Sequence, residues 1–452
     1  MTTVSSGQTY TVSSGQTDFG DIVLAGGTLD VLFGGVISNT IDSGTVQVGL
    51  GDGSGGTAIG TTVVSGGIEV VRLGGSAVET TVDSGGILAV TLGFALSTTV
   101  NNGGFEVVVG GVTSDTLVEA GGVDIAIFAQ TFSTVVSSGG VQVLDPMGAG
   151  GPAQPIIPGA VANNTILDGG VQIVLGGADS TTINSGGTEV VEGGSDYATI
   201  NSGGFEFLVA GNSDYNTVNN GGTLFVAYSY SLYNQVESGG VLAVYGSGSE
   251  ALNDTISTGG TELVSGGGTA SGSLVQGVEF VQNGGQTFST DIVLGGEQIV
   301  QSGGVARDLI DAGLVDVQAG GLAFVTFTSN GGDLQLDFSQ AFSGSISGFA
   351  SPAGVTEAID LRDIAFTSAT TVNFTEAANN SSGTLTVTDG THTANLIFPE
   401  KMRYGLDQFR IAAHDAIEEG VPYRDLAGRI RRHAGYLRDV IVRPVRSQVA
   451  GL

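Results

Sequence analysis

The fold is decided by a repeating unit that reads Thr80-Thr81-Val82-Asp83-Ser84-Gly85-Gly86-Ile87-Leu88-Ala89-Val90. The next copy reads Thr98-Thr99-Val100-Asn101-Asn102-Gly103-Gly104-Phe105-Glu106-Val107-Val108. The first glycine of each pair returns mostly every 17 to 20 residues, at Gly26, Gly44, Gly66, Gly85, Gly103, Gly121, Gly139, Gly169, Gly186, Gly203, Gly221, Gly239 and Gly259. A near-constant period of this length predicts stacked structural repeats.

Aliphatic residues flank each glycine pair at fixed distances. Three residues before the first glycine stands Val63, Val82, Val100, Val118, Val136, Ile166, Ile183, Ile200, Val218, Val236 or Ile256. Five residues after it stands Val71, Val90, Val108, Ala126, Leu144, Val174, Val191, Leu208, Val226, Val244 or Val264. The residues directly after the pair alternate between apolar and polar, which predicts a strand with one buried face. The glycine pair suits a tight corner, because glycine tolerates positive φ.

Each unit of about 18 residues therefore carries two short strands and two corners, and it is too small to bury its own apolar face. Stacking of successive units buries a continuous core. We predict an all-β fold, a parallel β-solenoid (β-helix) with coils of about 18 residues. A helical alternative is disfavoured, because each unit holds several glycines and each costs roughly 1 kcal/mol inside a helix.

The repeat pattern divides the chain into three predicted segments. Residues 1–332 form the glycine-pair solenoid, with a swollen corner at 49–60 and a proline-rich loop insertion at 145–160. Residues 333–398 form a β-rich capping module that closes the open end of the solenoid. Residues 399–452 form a basic tail with one or two short α-helices. The helical expectation rests on apolar spacing at Leu426, Ile430, Leu437 and Ile441, with a helix start near Pro422 and an end at Pro444.

Charge is distributed unevenly along the 452 residues. The net charge is −31, but ten of the 13 Lys and Arg residues follow Phe398, which leaves only Arg72, Arg307 and Arg362 before it. An acidic solenoid of this kind excludes nucleic-acid binding through phosphates. The sequence has no cysteine and no apolar run long enough for a transmembrane segment. Residues 1–7 lack a charged start and an apolar block, so we expect export without a recognisable N-terminal signal peptide.

Acidic residues recur at the second position after the glycine pair, at Glu69, Glu106, Asp124, Glu189, Glu206 and Glu262. We expect them to stack on one outer face of the solenoid. The functional interpretation is a cation-bridged face, with Ca²⁺ between carboxylates as the candidate cofactor. The structural interpretation is a solvated face that confers solubility, and we prefer it because exposed charge runs usually serve solvation.

Other side chains are candidates for a catalytic or sugar-binding site. Asp214, Asp254 and Asp291 are candidate acids of a glycan-cleaving β-helix enzyme, but the solenoid supplies few cations and no histidine to work with them. His392, His414 and His433 lack metal-ligand spacing. Six tyrosines between Tyr197 and Tyr245 are candidates for stacking on sugars, although we expect them to line corners or core.

The repeats resemble the passenger repeats of AIDA-type bacterial autotransporter adhesins. The opening Val4-Ser5-Ser6-Gly7-Gln8-Thr9 and the unit Asn184-Ser185-Gly186-Gly187-Thr188-Glu189-Val190-Val191 carry the resemblance, which covers about residues 1–332. Residues 359–366 and 382–392 resemble the module that follows such repeats in α-proteobacterial proteins, some of which end in a Hint domain. The chain has no cysteine, so the Hint nucleophile is absent.

The resemblance implies a bacterial extracellular or cell-surface protein. We expect a rigid acidic rod that serves adhesion or a biofilm matrix, without catalysis. Its expected partners are host or neighbouring-cell surfaces, glycans, or other copies of itself. Two alternatives stay open: a self-assembling extracellular filament or matrix subunit, and a β-helix polysaccharide lyase or hydrolase.

Overall fold

The computed structural model describes residues 1–49, 55–146, 160–349, 357–378, 381–399, 409–413 and 438–444. The chain winds as an all-β parallel solenoid of about 18 turns, which confirms the predicted fold class. It divides into two compact units, residues 1–225 with 229–231 and residues 226–228 with 232–452. Most of the predicted insertion at 145–160, and residues 50–54 of the predicted swollen corner, lie outside the described residues.

Each regular coil of the first unit contributes three strands, which stack on the equivalent strands of neighbouring coils in three parallel ladders. The long ladder follows the glycine pairs and consists of Thr9–Val12, Thr28–Val31, Thr45–Val48, Ile68–Val71, Ile87–Thr91, Phe105–Val109, Val123–Ile127, Val141–Asp145, Val171–Val174, Thr188–Val191 and Phe205–Leu208. The second ladder consists of Thr17–Phe19, Val36–Ser38, Thr57–Ile59, Ser76–Val78, Phe94–Leu96, Val112–Ser114, Gln130–Phe132, Val161–Asn163, Gly177–Asp179, Gly194–Asp196 and Asn212–Asp214.

The third ladder of the first unit precedes the glycine pairs. It consists of Thr3–Val4, Ile22–Val23, Ile41–Asp42, Thr62–Val63, Thr81–Val82, Thr99–Val100, Leu117–Val118, Val135–Ser137, Ile166–Asp168, Thr182–Ile183, Thr199–Ile200 and Thr217–Val218. The prediction of two strands and two corners in each coil is therefore wrong. The missed corner lies between the second and third ladders and needs no glycine, since Glu79 takes a φ of 55° there and Tyr197 one of 58°.

The second unit shows the same three-ladder pattern. The strands Thr223–Ala227 and Tyr230–Leu232 each contain residues of both units. Its long strands are Val241–Tyr245, Thr261–Ser265, Val278–Val281, Glu297–Val300, Leu314–Val317, Gly332–Leu336 and Glu357–Phe366. Its other solenoid strands are Gln235–Val236, Glu250–Leu252, Thr255–Ile256, Thr269–Ser271, Leu274–Val275, Gln286–Val293, Val305–Asp311, Leu322–Phe327 and Ser345–Ser347, with a short 3₁₀ turn at Ser339–Ala341.

The region predicted as a cap contains an antiparallel sheet of three strands, Thr371–Glu376, Gly383–Thr388 and Thr393–Phe398. Its turn is held by Asp389, whose Oδ1 accepts hydrogen bonds from the backbone N–H groups of Thr391 and His392, both at 2.7 Å. The sheet joins the solenoid at Ser345, which pairs with Ile397.

The described part of the tail is β structure. Phe409–Ala413 and Arg438–Pro444 pair in parallel with each other, and Arg438–Pro444 also pairs with Glu357–Phe366. The predicted helix is therefore wrong at residues 438–444, where Val440-Ile441-Val442 is β-branched and suits a strand. The rest of the predicted helical segment lies outside the described residues.

The paired glycines make the corner for two different reasons. Gly85 takes a φ of 76°, which is unfavourable for a side chain with a Cβ. Gly86 lies under the preceding coil, where a Cβ would stand 2.3 Å from the carbonyl oxygen of Val63. The pair thus lets successive coils approach closely enough for the ladders to form.

The aliphatic residues at the two predicted positions form the core. Val63, Val82, Val71 and Val90, like their equivalents along the chain, are completely buried. The coil at Ile166 deviates, because Leu167 pairs with Val136 and occupies the buried position while Ile166 is 39% exposed.

Candidate functional site

The six predicted surface acids point into the solenoid. Glu69, Glu106, Asp124, Glu189, Glu206 and Glu262 have no exposed surface at all. The expectation of an outer, solvated acidic face is therefore wrong. These side chains belong to an inward column, which we define by the second residue of successive long strands: Glu69, Leu88, Glu106, Asp124, Gln142, Gln172, Glu189 and Glu206 in the first unit, and Leu242, Glu262, Glu279 and Gln298 in the second.

The parity of the strand explains why the acids face inward. Residues two apart on a strand share a face. Glu69 lies two residues before Val71, which is a core residue, so Glu69 must point the same way. Ile68 and Val70 consequently point outward. The sequence held this signal, but the apolar character of the outward residues concealed it.

Glutamine side chains show how a polar group is accommodated in the inward column. The Gln142 Nε2 donates a hydrogen bond of 2.9 Å to Oδ2 of Asp124 on the preceding coil. The Oε1 of Gln142 accepts one of 2.9 Å from Nε2 of Gln172. The amide of Gln142 therefore donates to one neighbouring coil and accepts from the other.

Hydroxyl groups at the corner between the second and third ladders, which we call the third corner, supply a further set of hydrogen-bond donors. Thr80 Oγ1 donates to Oε2 of Glu69 at 3.0 Å, and Thr181 Oγ1 donates to Oε1 of Glu189 at 3.1 Å. Threonine occupies this buried corner position in most coils of the first unit, at Thr40, Thr61, Thr80, Thr98, Thr116, Thr134, Thr165 and Thr181. This threonine recurs with the same period as the glycines, and that periodicity is the sequence signal for the inward column.

Three pairs of acids are adjacent in the inward column: Glu106 with Asp124, Glu189 with Glu206, and Glu262 with Glu279. Several of their oxygen atoms have no hydrogen-bond partner, namely both oxygens of Glu106, Glu206 and Glu262 and one oxygen each of Asp124, Glu189 and Glu279. No Lys, Arg or His occurs between Arg72 and Arg307 in the sequence. The pairs thus lie in a segment that offers them no basic side chain.

Burial dominates the acidity of these groups. Removal from water raises the pKa of Glu69 to about 7, with a smaller upward contribution from the nearby Asp42 carboxylate. Burial and then the negative charge of Asp124 raise the pKa of Glu106 well above its ordinary value. Burial and the neighbouring acid act in the same way on the pKa values of Glu189 and Glu262.

A metal centre of three or more acidic or histidine ligands is absent from the described residues. The predicted Ca²⁺ bridge between carboxylates therefore stays a hypothesis, and the carboxylates concerned lie inside the solenoid rather than on its surface.

Most outward side chains of the long ladder between Ile68 and Phe225 are apolar, and we call the surface that they form the outer apolar face; Asp145 and Thr188 are among the polar exceptions. It consists of Ile68, Val70, Ile87, Ala89, Phe105, Val107, Val123, Ile125, Val141, Val143, Val171, Ile173, Val190, Phe205, Phe207 and Phe225, all of them partly or fully exposed. Equivalent residues stand in register on successive coils, as Ile68, Ile87 and Phe105 do. Phe207 and Phe225 lie 5.2 Å apart by ring centroids. These side chains are all uncharged, although Glu or Asp occupies a neighbouring position on several of the same strands.

Four of the six tyrosines lie at corners, as one of the sequence interpretations expected, whereas Tyr230 and Tyr245 lie on strands, and none of the six is in the core. Tyr197 and Tyr215 take positive φ at the third corner, and their rings stack with centroids 5.3 Å apart. Both side chains are about half exposed, as are Tyr230, Tyr233 and Tyr245. Stacked, exposed rings of this kind are able to contact a sugar or another apolar ligand.

Of the residues considered for catalysis, Asp254 and His392 make hydrogen bonds that support the fold, while Asp214 and Asp291 lie on the strands Asn212–Asp214 and Gln286–Val293. Asp254 is buried, and its Oδ1 accepts hydrogen bonds from the backbone N–H and the Nδ2 of Asn234 at 2.7 and 2.8 Å. His392 lies 3.0 Å from Asp389 through its Nδ1 and supports the turn of the antiparallel sheet. His414 and His433 lie outside the described residues. Arg307 packs between Phe288 and Phe324 at 5.5 and 4.8 Å from the ring centroids, a cation–π contact.

No helix in the described part of the chain is long and apolar enough to cross a membrane.

No family model and no curated protein matches the chain. Among solved structures, it is similar to a crystal structure of a TibA fragment, residues 55–350, hyper-glycosylated by TibC. The sequence identity is 26%, the match covers 76% of this chain and 97% of the fragment, and the TM-score is 0.44.

Proposed function

We propose that this protein is an adhesin-like structural protein that acts outside the bacterial cell or at its surface, and that it binds through the outer apolar face rather than through a catalytic site. The observation that carries the proposal is the composition of this face. Uncharged aliphatic and aromatic side chains stand in register on consecutive coils of a chain whose net charge is −31. Apolar surface of this extent usually serves an interaction.

The repeated geometry suits adhesion because it multiplies weak contacts. Successive coils present equivalent side chains about 4.8 Å apart. A single coil offers only two or three such side chains, but several coils engage one surface together, and the gain from linked contacts is large.

An alternative partner is a second copy of the chain, as in a matrix or filament subunit. The same observation favours it, because two acidic chains approach with least repulsion where both lack charge. Binding of glycans is a further alternative, and the stacked pair Tyr197 and Tyr215 supports it.

Removal of the aromatic side chains from the outer apolar face tests the proposed function. We expect the variant Phe105→Thr/Phe205→Thr/Phe207→Thr/Phe225→Thr to fold normally, because threonine already occupies the equivalent outward position at Thr188. Its retention on hydrophobic surfaces and on cells should fall at least tenfold, measured with a surface sensor and by counting bound protein on cells.

A matched control replaces phenylalanines that lie off this face. Phe19, Phe33 and Phe94 are 63%, 64% and 54% exposed, more than the 41% of Phe105. The variant Phe19→Thr/Phe33→Thr/Phe94→Thr should bind like the wild type. Equal binding by all three proteins would overturn the proposal. Concentration-dependent sedimentation that is lost only in the four-residue variant would favour the matrix subunit, and retention of the native protein in the cytosol would exclude both.

A further inference from the structure

We propose that each of the three buried acid pairs, Glu106–Asp124, Glu189–Glu206 and Glu262–Glu279, holds one proton in the folded protein at neutral pH. The solenoid therefore binds protons as it folds, and it loses stability when alkaline conditions remove them. This is a pH-sensitive device within the scaffold, independent of what the outer apolar face binds.

The first support is the chemistry of the slot that the acids occupy. Gln142 and Gln172 fill equivalent places in the inward column, and the amide of Gln142 both donates and accepts along it. An ionised carboxylate only accepts hydrogen bonds, whereas a protonated carboxyl also donates one. A protonated Glu is thus the closest chemical equivalent of the glutamine that the column accommodates elsewhere.

The second support is the negative charge of each pair, which no basic side chain compensates. Both oxygens of Glu106 and one oxygen of Asp124 are buried without a hydrogen-bond partner. The same is true of both oxygens of Glu206 and of Glu262. A buried acceptor without a donor is strongly unfavourable, and more so when it is charged. One proton on each pair supplies a donor and removes one of two negative charges that stand on strands about 4.8 Å apart.

The groups that face the first pair from all sides are uncharged. Leu88 precedes Glu106 in the column and Gln142 follows Asp124. At the corner between the other two ladders, the buried hydroxyl groups of Thr98 and Thr116 act as donors that lower the pKa of Glu106, but burial and the charge of Asp124 raise it by more. A hydroxyl group cannot neutralise a charge, so a proton is the compensation that these uncharged neighbours leave to the pair.

The other two pairs have similar surroundings. Glu189 and Glu206 follow Gln172 and face Thr181, Ser195 and Ser213. Glu262 and Glu279 lie between Leu242 and Gln298 and face Ser273.

Two further carboxylates, Asp254 and Asp308, add negative charge near the third pair. The charge of Asp254 favours protonation of Glu262, and the charge of Asp308 favours protonation of Glu279.

The direction of the pH dependence follows from proton binding. In the unfolded chain, these carboxyls lose their protons near pH 4 to 4.5, roughly the ordinary pKa of Asp and Glu. Burial, and then the neighbouring acid, raise the folded-state pKa values of Glu106, Glu189 and Glu262 well above that range. Between these limits the folded protein holds more protons than the unfolded chain, so stability is highest at acid pH and falls as pH rises through neutrality.

The test measures unfolding by urea, followed by circular dichroism, between pH 5 and pH 9. Each proton held in excess by the folded state raises the unfolding equilibrium constant about tenfold per pH unit. We expect the six-residue variant Glu106→Gln/Asp124→Asn/Glu189→Gln/Glu206→Gln/Glu262→Gln/Glu279→Gln to lose most of this slope. If that variant does not fold, Glu106→Gln/Asp124→Asn alone should reduce the slope by up to tenfold per pH unit.

The matched control is Asp115→Asn/Glu192→Gln/Glu250→Gln, which removes three exposed carboxyls and should keep the wild-type slope. Infrared spectroscopy of the folded wild type at pH 7 should show the carbonyl band of protonated carboxyls, and the six-residue variant should lack it. Equal stability of the wild type at pH 5 and pH 8.5, or equal slopes in all variants, would overturn the proposal. Restoration of alkaline stability by Ca²⁺ alone would also overturn it, since a cation would then occupy the pairs.

Discussion

Replacement of Gly86 by alanine is expected to destabilise the protein by about 3 kcal/mol, near the upper end of what single substitutions do. The φ of Gly86 is not in the left-handed region, so the cost comes from contact alone. The new Cβ would lie 2.3 Å from the carbonyl oxygen of Val63 and 3.1 Å from that of Asp83. The two coils must therefore separate, which weakens the hydrogen bond from the Asp83 N–H to Val63. Urea unfolding at pH 6 measures the loss.

A substitution at another corner glycine serves as the control. Gly66 has a φ of 83°, but its Cβ would meet only the carbonyl oxygen of Ser43, at 4.0 Å. Asparagine tolerates this backbone conformation better than other residues with a side chain. Gly66→Asn should therefore cost about 1 kcal/mol or less. Equal losses at Gly66 and Gly86 would show that close coil approach is not what the second glycine provides.

Replacement of Glu69 by leucine is expected to stabilise the protein by about 2 kcal/mol at pH 8, because it removes a buried carboxylate. Glu69 pairs with Val46 on one neighbouring coil and Leu88 on the other, so leucine continues an apolar stretch of the column. Burial raises the pKa of Glu69 to about 7, which corresponds to roughly 3 kcal/mol against the ionised form. Loss of the hydrogen bond from Thr80 offsets about 1 kcal/mol of the gain.

The size of this effect depends on pH in a defined way. At pH 5 the folded protein holds Glu69 protonated, so the gain from Glu69→Leu should shrink towards zero. Glu192 is exposed, and Glu192→Leu should change stability by less than about 0.5 kcal/mol at either pH. A loss of stability in Glu69→Leu at pH 8 would mean that the buried carboxylate stabilises the coil, which is the opposite of the expected effect.

The solenoid was predictable because its requirements are local and periodic. A corner that needs positive φ selects glycine, as at Gly85, and a core position selects an aliphatic, as at Val82 and Val90. The corner glycine and the core aliphatic residues both recur in each coil, so about a dozen copies of the repeat carry the same sequence pattern. The third corner gave no such signal, because residues as different as Gly60, Glu79 and Tyr197 take a positive φ there.

The direction of the acids was predicted incorrectly because burial preference and strand parity conflict at Glu106. The usual burial preferences of the two residue types place the charged Glu106 on the outside and Phe105 on the inside. Glu106 lies two residues before the core residue Val108 and therefore shares its inward face. This alternation decides the outcome, because turning Glu106 outward would turn every other side chain of the strand as well. The same alternation produces both unusual features of the coil, namely buried acids without basic partners on the inside and an apolar surface on the outside.

The helix predicted for the tail was wrong for a different reason. Leu437 and Ile441 are spaced as in a helix, but they lie in a single segment that has no repeats to support the helical interpretation. In the fold, residues 438–444 extend an existing parallel ladder next to Glu357–Phe366, and the ladder supplies backbone partners that an isolated helix would have to provide itself.

Carbodiimide labelling of carboxyl groups in the folded protein, read out by mass spectrometry, tests the central claim that the acids after the glycine pairs face a closed interior. Glu106, Glu189 and Glu206 should stay unmodified under native conditions, while Glu192 reacts readily, and all should react after unfolding. Modification of Glu106 in the native protein at the rate of Glu192 would contradict the claim.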